Sequence, residues 1–215
     1  SFSTQSFTIN LTDVNEGAVG SVSDSNAAAN TVLENSSNGT TVGITGLATD
    51  PDGTDVVTYS LDDNAGGRFA IDSSTGIVTV NGAIDREAAA NYNITIRATS
   101  TDASTTTQTF TINIGDVDEF DTGAVTDSNA TANSVVENGA NGTVVGITGM
   151  ASDADATTNT ITYSLFDNDG GRFAIDANTG VVTVAGAINR EADGASRNIT
   201  IRATSADTSF TDQVF

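Results

Sequence analysis

The sequence predicts an all-β chain made of two tandem seven-stranded Greek-key β-sandwiches that are joined end to end. Gly, Ser, Thr, Asn and Asp are abundant, and the apolar residues are mostly Val, Ile and Ala, a composition that favours strands and turns. Short runs of alternating polar and apolar residues lie between turn signals. The same series of runs occurs twice along the chain.

An internal repeat of about a hundred residues divides the chain into two similar domains. The segment 24–27, Asp-Ser-Asn-Ala, recurs at 127–130, and the segment 66–72, Gly-Gly-Arg-Phe-Ala-Ile-Asp, recurs at 170–176. Solenoid repeats are only roughly 20 to 50 residues long, so each unit here is a complete domain.

Each strand of the first domain is predicted from a run rich in β-branched residues that ends at a turn signal. The predicted strands cover 41–49, 56–61, 69–71, 77–80, 92–98 and 106–114, with a weaker strand near Val32. The second domain repeats these runs. About seven strands in a hundred residues are typical of a Greek-key sandwich.

Alternation along these strands assigns one set of apolar side chains to each core. In the first domain the set is Val42, Ile44, Tyr59, Leu61, Phe69, Ile71, Val78, Ile94, Ile96, Phe110 and Ile112. In the second it is Val145, Ile147, Tyr163, Leu165, Phe173, Ile175, Val182, Ile199 and Ile201. The aromatic members are therefore expected in the core and not on a binding surface.

The two ends of the chain are out of phase with the domains, because residues 1–7 resemble residues 209–215. We expect residues 1–12 to be the last strand of a preceding repeat, and the second domain to lack the end of its own last strand. The native chain would then continue on both sides. The predicted order is residues 1–12, a linker at 13–16, a first repeat at 17–115, a second linker at 116–119 and a second repeat at 120–215.

The charge is strongly acidic, with 28 Asp and Glu against seven basic residues, all arginine, and a net charge of -21. Such a surface repels nucleic acid and anionic lipid headgroups, so neither is an expected partner. No apolar run reaches the length of a membrane span, so no direct membrane insertion is expected. An alternative explanation of the charge is that the acidic residues only keep an extracellular protein soluble.

Cysteine and histidine are both absent, which excludes disulfides, thiolate zinc sites and nucleophile–histidine triads. Only carboxylate chemistry would remain for an enzyme, and no enzyme is expected. The carboxylates instead recur as short motifs at equivalent places in both domains. These motifs are Glu34-Asn35, Asp50-Pro51-Asp52, Asp85-Arg86-Glu87 and Asp116-Val117-Asp118-Glu119, repeated as Glu137-Asn138, Asp153-Ala154-Asp155 and Asn189-Arg190-Glu191, with Asp13-Val14-Asn15-Glu16 before the first repeat.

The order of these motifs resembles the cadherin repeat over essentially the whole chain. Members of that family show an early Glu-Asn, an Asp-x-Asp after the second strand, a Leu-Asp-Arg-Glu before the sixth strand and an acidic linker. The Thr75-Gly76-Ile77 stretch is also similar to the family's turn between its middle strands. The resemblance implies an immunoglobulin-like, cadherin-type sandwich that binds Ca²⁺ at the junctions between neighbouring repeats.

The resemblance also implies which residues bind the metal. Calcium takes six to eight hard oxygen ligands, a number that several carboxylates together can supply. At the complete junction these are Glu34, Asp85, Glu87, Asp116, Asp118 and Glu119 with Asp153 and Asp155. Half-sites are expected at the two ends, namely Asp13, Asn15, Glu16, Asp50 and Asp52, and then Glu137 and Glu191. The family's acid after the sixth strand falls on Ser100 and Ser205, with Asp102 and Asp207 nearby.

The expected function is that of a calcium-rigidified, extracellular repeat module of a cell-adhesion or biofilm-type surface protein. Composition favours a bacterial surface protein over an animal one. The alternative is a recognition module that binds a polysaccharide or cell-surface ligand or another copy of itself. Because residues 1–12 form an orphan strand and the second repeat is short of one, strand donation between copies is a further hypothesis.

Overall fold

A computed structural model describes residues 1–12 and 14–215. The chain folds as two compact units, Ser1–Gly115 (unit 1) and Asp116–Phe215 (unit 2). Each unit contains two separate sheets of mostly antiparallel strands, as the sequence predicts. Among the described residues, no helix is long and apolar enough to cross a membrane.

Among its described residues, unit 1 has eight strand segments, because its first strand is divided between the two sheets. The segments are β1 (Ser23–Asp24), β2 (Thr31–Leu33), β3 (Thr41–Leu47), β4 (Val57–Asp63), β5 (Phe69–Ile71), β6 (Ile77–Val80), β7 (Asn91–Ser100) and β8 (Thr105–Gly115). One sheet has the order β1-β3-β6-β5 and the other β2-β8-β7-β4. The pairing of β2 with β8 is parallel, whereas the other pairs are antiparallel.

Unit 2 repeats this plan with seven strands and one short helix. They are β9 (Thr126–Asp127), β10 (Val144–Met150), β11 (Thr162–Asp167), β12 (Phe173–Ile175), β13 (Val181–Val184), α1 (Arg190–Asp193), β14 (Thr200–Thr204) and β15 (Phe210–Val214). One sheet has the order β12-β13-β10-β9 and the other β11-β14-β15. A strand equivalent to β2 is absent from unit 2, all of which the structure describes.

The core of unit 1 follows the two-residue alternation of its strands. On β7, Ile94, Ile96 and Ala98 are fully buried while the residues between them are half-buried. Leu61, Ile71 and Phe110 pack against the core from its margin, and the other predicted core residues are buried. Tyr59 is also buried, and its hydroxyl accepts the Ala48 N–H at 3.1 Å, so this aromatic side chain is structural.

Unit 2 buries the equivalent side chains less completely. Val145, Ile147, Phe173, Ile199 and Ile201 are buried, as is Val182. The remaining predicted members, Tyr163, Leu165 and Ile175, pack against this cluster and are partly exposed.

One turn in each unit requires glycine. Gly76 has φ +70°, and a Cβ atom there would lie 2.2 Å from the carbonyl oxygen of Gly46. The close approach is stabilising as it stands, since Gly46 N–H donates to Gly76 O at 2.9 Å. Gly180 and Gly149 form the same contact in unit 2. The resemblance at Thr75-Gly76-Ile77 thus marks a turn that only glycine fits.

Residues 1–12 are exposed and contain no regular secondary structure. Their assignment to the last strand of a preceding repeat stays a prediction, as do the linker bounds.

Candidate metal centres

Three groups of carboxylates lie in the described part of the chain, and within each group the nearest oxygens lie within 4.8 Å of one another. Two belong to unit 1 and one to unit 2. They are the Glu34 group (Glu34, Asp85 and Glu87), the Asp52 group (Asp50, Asp52 and Asp55) and the Asp155 group (Asp118, Asp155 and Asp207).

The Glu34 group forms where β2 ends beside the end of β8. Glu34 N–H donates to Gly115 O at 2.9 Å, so parallel pairing carries this residue to the end of the last strand of unit 1. Its side chain is buried, at 2% exposure, and Oε2 accepts the Arg86 N–H at 2.5 Å. Asp85 and Glu87 flank that residue in the segment between β6 and β7, which brings their carboxylates to Glu34.

The Asp52 group lies in the loop between β3 and β4. Asp52 is buried, and its Oδ2 accepts the backbone N–H groups of Glu16 at 3.1 Å and Gly17 at 3.3 Å. Asp50 Oδ1 in turn accepts the Asp52 N–H at 3.0 Å. The loop therefore holds the backbone of Glu16 and Gly17, and the carboxylates of Asp50, Asp52 and Asp55 converge within it.

The Asp155 group repeats this arrangement in unit 2. Asp155 has no exposed surface, and it accepts the backbone N–H groups of Glu119 at 3.1 Å and Phe120 at 3.2 Å. Asp207 lies in the turn between β14 and β15, where its Oδ1 accepts the Ser209 N–H at 2.7 Å. Asp118 is exposed and completes the group from the linker.

The pKa of Asp118 is raised, and neighbouring carboxylates are part of the cause. The largest cause is the partial removal of the Asp118 carboxylate from water. A hydrogen bond with the Asp155 side chain and the negative charges of Asp207 and Asp153 raise the pKa further. Like charges that converge in this way disfavour the ionised form unless a cation joins them.

The arginines do not balance this charge. Among the described residues, no salt bridge of arginine includes a member of the Asp52 group or the Asp155 group. Arginine instead pairs with acids elsewhere on each unit, as the salt bridges Arg97–Asp62, Arg172–Asp193, Arg197–Asp193 and Arg202–Asp212 show.

The oxygens at these groups fit a hard divalent cation. Buried carboxylate oxygens that lack a hydrogen-bond partner include Asp50 Oδ2, Asp116 Oδ1 and Asp153 Oδ2, each within a group or beside one in sequence. A buried anionic oxygen without a partner is costly, so these atoms call for a ligand. Every donor is a carboxylate and the chain has no His or Cys, which suits Ca²⁺ or Mg²⁺ and not zinc.

The predicted site residues are thus partly brought together. Of the predicted set, Glu34, Asp85 and Glu87 meet, as do Asp50 with Asp52 and Asp118 with Asp155. Asp116 and Asp153 lie near the Asp155 group in sequence and accept hydrogen bonds. Asp116 accepts the Thr157 hydroxyl, and Asp153 accepts the Asp155 N–H at 3.1 Å. The backbone N–H groups of Glu16 and Glu119 donate to Asp52 and Asp155 respectively.

The other predicted residues lie outside the three groups. Asn15 donates to Asp102 Oδ2 at 2.8 Å, and Glu137 accepts the Arg190 N–H at 3.0 Å. Glu191 is exposed in α1. Asp13 lies outside the described residues.

Two members of the groups were not predicted, namely Asp55 and Asp207. Asp55 follows Asp52 in the same loop, and Asp207 lies two residues after Ser205, where the family has an acid. Their closeness in sequence to Asp52 and Ser205 was the one indication that the sequence offered. The fold was needed to show that a turn after each places the carboxylate within reach.

Asp193, unlike the acids of the Asp52 and Asp155 groups, forms salt bridges with arginine, namely Arg172 and Arg197. This arrangement predicts a pH-dependent contribution to stability. Its pKa is lowered to about 2, first by the Asn189 N–H and then by Arg172 and Arg197. A lowered folded pKa stabilises the protein above the unfolded value of 3.8, and this contribution is lost as the pH falls toward about 2. We expect Asp193→Asn to lower the melting temperature at neutral pH. The difference in melting temperature between wild type and variant should narrow as the pH falls from 3.8 toward about 2.

The measurement is thermal unfolding of both proteins between neutral pH and about pH 2. The control is Asp63→Asn, where the Ala65 N–H retains an oxygen acceptor. A gap between wild type and Asp193→Asn that stays constant down to the lowest pH would contradict the assignment.

Comparison with known proteins agrees with the fold. A family model described as the cadherin domain matches residues 29–115 and 131–213. Human Protocadherin Fat 4 is 36% identical over 138 residues, and mouse Cadherin-23 is 34% identical over 165 residues. These matches cover 63% and 74% of this chain, but only 3% and 5% of the relatives.

Solved structures give the same result. Mouse Cadherin-23 EC22-24 matches with a TM-score of 0.68 and 29% identity, covering 86% of this chain and 60% of that one. The cis-dimer structure of Protocadherin gammaB7 EC3-6 matches with a TM-score of 0.75 at 20% identity, covering 96% of this chain and 52% of that one, and it supports the fold. The relatives named here from human and mouse are animal cadherins, so the expected bacterial origin is not supported. The chain belongs to the cadherin domain family, with one repeat in each unit.

Proposed function

We propose that both units are calcium-binding repeats of an extracellular adhesion protein at a cell surface, and that the three carboxylate groups bind Ca²⁺. One observation carries the proposal: Asp118, Asp155 and Asp207 place their oxygens within 4.8 Å of one another without an arginine salt bridge in the described chain. Family membership adds support, because calcium binding is typical of cadherin repeats.

In unit 2, different carboxylates would position the linker and bind the metal. Asp155 positions the linker through the N–H groups of Glu119 and Phe120. Asp118 and Asp207 complete the carboxylate set, and Asp116 and Asp153 each hold a buried oxygen that lacks a hydrogen bond. Bound Ca²⁺ supplies positive charge and takes six to eight oxygens, which allows carboxylates to be shared between ions.

We further propose that calcium stiffens the chain between successive repeats. Glu34 is hydrogen-bonded to Gly115, the last residue of β8, and Asp116 is the next residue of the chain. The acidic linker therefore begins where the Glu34 group is anchored, and it continues to Glu119, which is bonded to Asp155. Cations bound along such a stretch would limit its bending.

Homotypic association is a second candidate function. The observation that favours it is the similarity in fold to Protocadherin gammaB7 EC3-6, whose solved structure is a cis-dimer. A polysaccharide ligand has no comparable support in the structure.

Calorimetric titration with CaCl₂ tests the calcium proposal. We expect Asp118→Asn and Glu87→Gln each to weaken one class of sites about tenfold or more, because each removes a charged ligand. Asp63→Asn is the matched control, since it removes the same charge outside the groups and retains the bond from Ala65. Absence of binding by wild type, or equal binding by all four proteins, would refute the proposal.

A further inference from the structure

One sheet face of unit 2 carries two exposed aromatic rings beside an arginine. Phe166 on β11 and Phe210 on β15 are 67% and 54% exposed. The Cζ atom of Arg202, on β14 between them, lies 4.6 Å from the centroid of the Phe166 ring and 3.9 Å from that of Phe210. Asp212 lies opposite Arg202 in register and so shares this face. We call these four residues, Phe166, Arg202, Phe210 and Asp212, the aromatic face.

The side chains of the aromatic face hold one another in place. Arg202 donates to Asp212 twice, from Nε to Oδ1 at 2.8 Å and from Nη2 to Oδ2 at 2.7 Å. Such a two-point bond fixes the plane of the guanidinium, and the two rings rest against it through cation–π contacts. The face is therefore ordered before any partner binds, which lowers the entropic cost of association.

Unit 1 has a polar surface at the equivalent place. In the internal repeat, Asp62 corresponds to Phe166 and Thr105 to Phe210, whereas the arginine is retained as Arg97. Arg97 donates to Asp62 at 2.7 and 2.5 Å. The same sandwich thus forms with a carboxylate and a hydroxyl at these two positions, so folding does not require the rings. Exposed rings with a polar rim mark a surface that binds a partner.

The charge of the aromatic face indicates which partner binds there. The net charge of the chain is -21, so two copies repel each other over most of their surfaces. Within the aromatic face Arg202 and Asp212 neutralise each other, and the residues opposite its members in register are uncharged, namely Thr162, Ser164 and Thr204. Asp167 lies beyond the bulge in β11, where it accepts the Asp169 N–H at 2.9 Å. A basic partner would bind the acidic groups instead, whereas a neutral face suits a second copy of itself.

We propose that two copies of the chain associate through their aromatic faces, packed against each other around a two-fold axis. The proposal deepens the homotypic association named above as a second candidate function and does not depend on calcium binding. In a two-fold contact each pair of residues occurs twice, so Phe166 of each copy meets Phe210 of the other. The equivalent contact between two copies of unit 1 would bring Asp62 against Thr105 and offers no apolar surface. Association is therefore specific to unit 2.

Sedimentation velocity in millimolar CaCl₂ tests the proposal. We expect the weight-average mass of wild type to rise from one chain toward two over a roughly 100-fold range of concentration, by mass action, and to stop at two because a two-fold contact is closed. Phe166→Asp with Phe210→Thr introduces the residues of unit 1 and should leave the chain monomeric over the same range. Calorimetric titration of this variant with CaCl₂ should match wild type, which keeps the outcome separate from that of the calcium proposal.

A matched double variant controls for charge and for loss of apolar surface. Val144→Asp with Met150→Thr also replaces two exposed apolar side chains and adds one carboxylate, but on β10 in the other sheet of unit 2. This variant should still form the dimer, and the melting temperatures of both variants show that each is folded. A wild type that stays monomeric at every concentration, or equal loss of association in the two variants, would overturn the proposal.

Cross-linking gives a second measurement of the same contact. The chain has no cysteine, so a single introduced cysteine forms a disulfide only with another copy. Ser164 lies opposite Arg202 in register, and Ser60 lies opposite Arg97 at the equivalent place in unit 1. Under mild oxidation Ser164→Cys should form covalent dimers several times faster than Ser60→Cys. Equal rates for the two variants would contradict a contact through the aromatic face.

Discussion

Removal of Ca²⁺ with EDTA is expected to lower the melting temperature of the chain by more than about 10 °C. A ligand at 100 times its Kd adds about 2.7 kcal/mol to the stability of the state that binds it. Each kcal/mol shifts the melting temperature of a domain of 60–100 residues by about 4–8 °C. Without metal, the carboxylates of the Asp155 group and the Asp52 group repel one another. Differential scanning calorimetry in CaCl₂ and in EDTA measures the difference.

General screening of the net charge of -21 must be separated from specific binding. NaCl at matched ionic strength is therefore the control, because screening depends on ionic strength and not on the identity of the cation. A melting temperature that is equal in CaCl₂, NaCl and EDTA would contradict calcium binding. Recovery of the full increase with NaCl alone would assign the effect to screening.

Replacement of Asp155 by alanine is expected to have the second largest effect. The fully buried carboxylate accepts the N–H groups of Glu119 and Phe120, and loss of a hydrogen bond to a charged group costs about 1.5–3 kcal/mol. The variant also loses the central ligand of the Asp155 group. We expect both lower stability in EDTA and loss of the calcium-dependent increase that arises from unit 2.

Two further variants give this prediction its controls. Asp155→Asn keeps one oxygen for the linker N–H groups, so it should retain more stability in EDTA but still lose calcium affinity. Asp52→Ala makes the equivalent change in unit 1, where Asp52 binds the N–H groups of Glu16 and Gly17. Wild-type calcium affinity in Asp155→Ala, measured by calorimetry, would exclude the Asp155 group as a binding site.

Most strands could be predicted from the sequence because alternation is strong within them. The bounds of β5 and β6 are those predicted, and β7 extends the prediction by one residue at its start and two at its end. The strand predicted at 41–49 ends at Leu47 instead. The reason is that Ala48 N–H donates to the Tyr59 hydroxyl, a contact between distant residues that no local pattern reveals.

Features that depend on distant pairing could not be predicted. β1 has two residues and no alternation, and it exists because Ser23 and Asp24 pair with the end of β3. Ile84 is buried although it lies outside every strand. Asp55 and Asp207 join the carboxylate groups for a similar reason, since turn geometry and not spacing directs their side chains. The acid motifs gave the locations of the groups but not their full membership.

A crystal structure of the chain grown in millimolar CaCl₂, with anomalous difference data, tests the central claim most directly. We expect an anomalous peak bound by Asp118, Asp155 and Asp207, with further ligands from the buried oxygens Asp116 Oδ1 and Asp153 Oδ2. A map without a peak there, with the three side chains turned apart into water, would contradict the account.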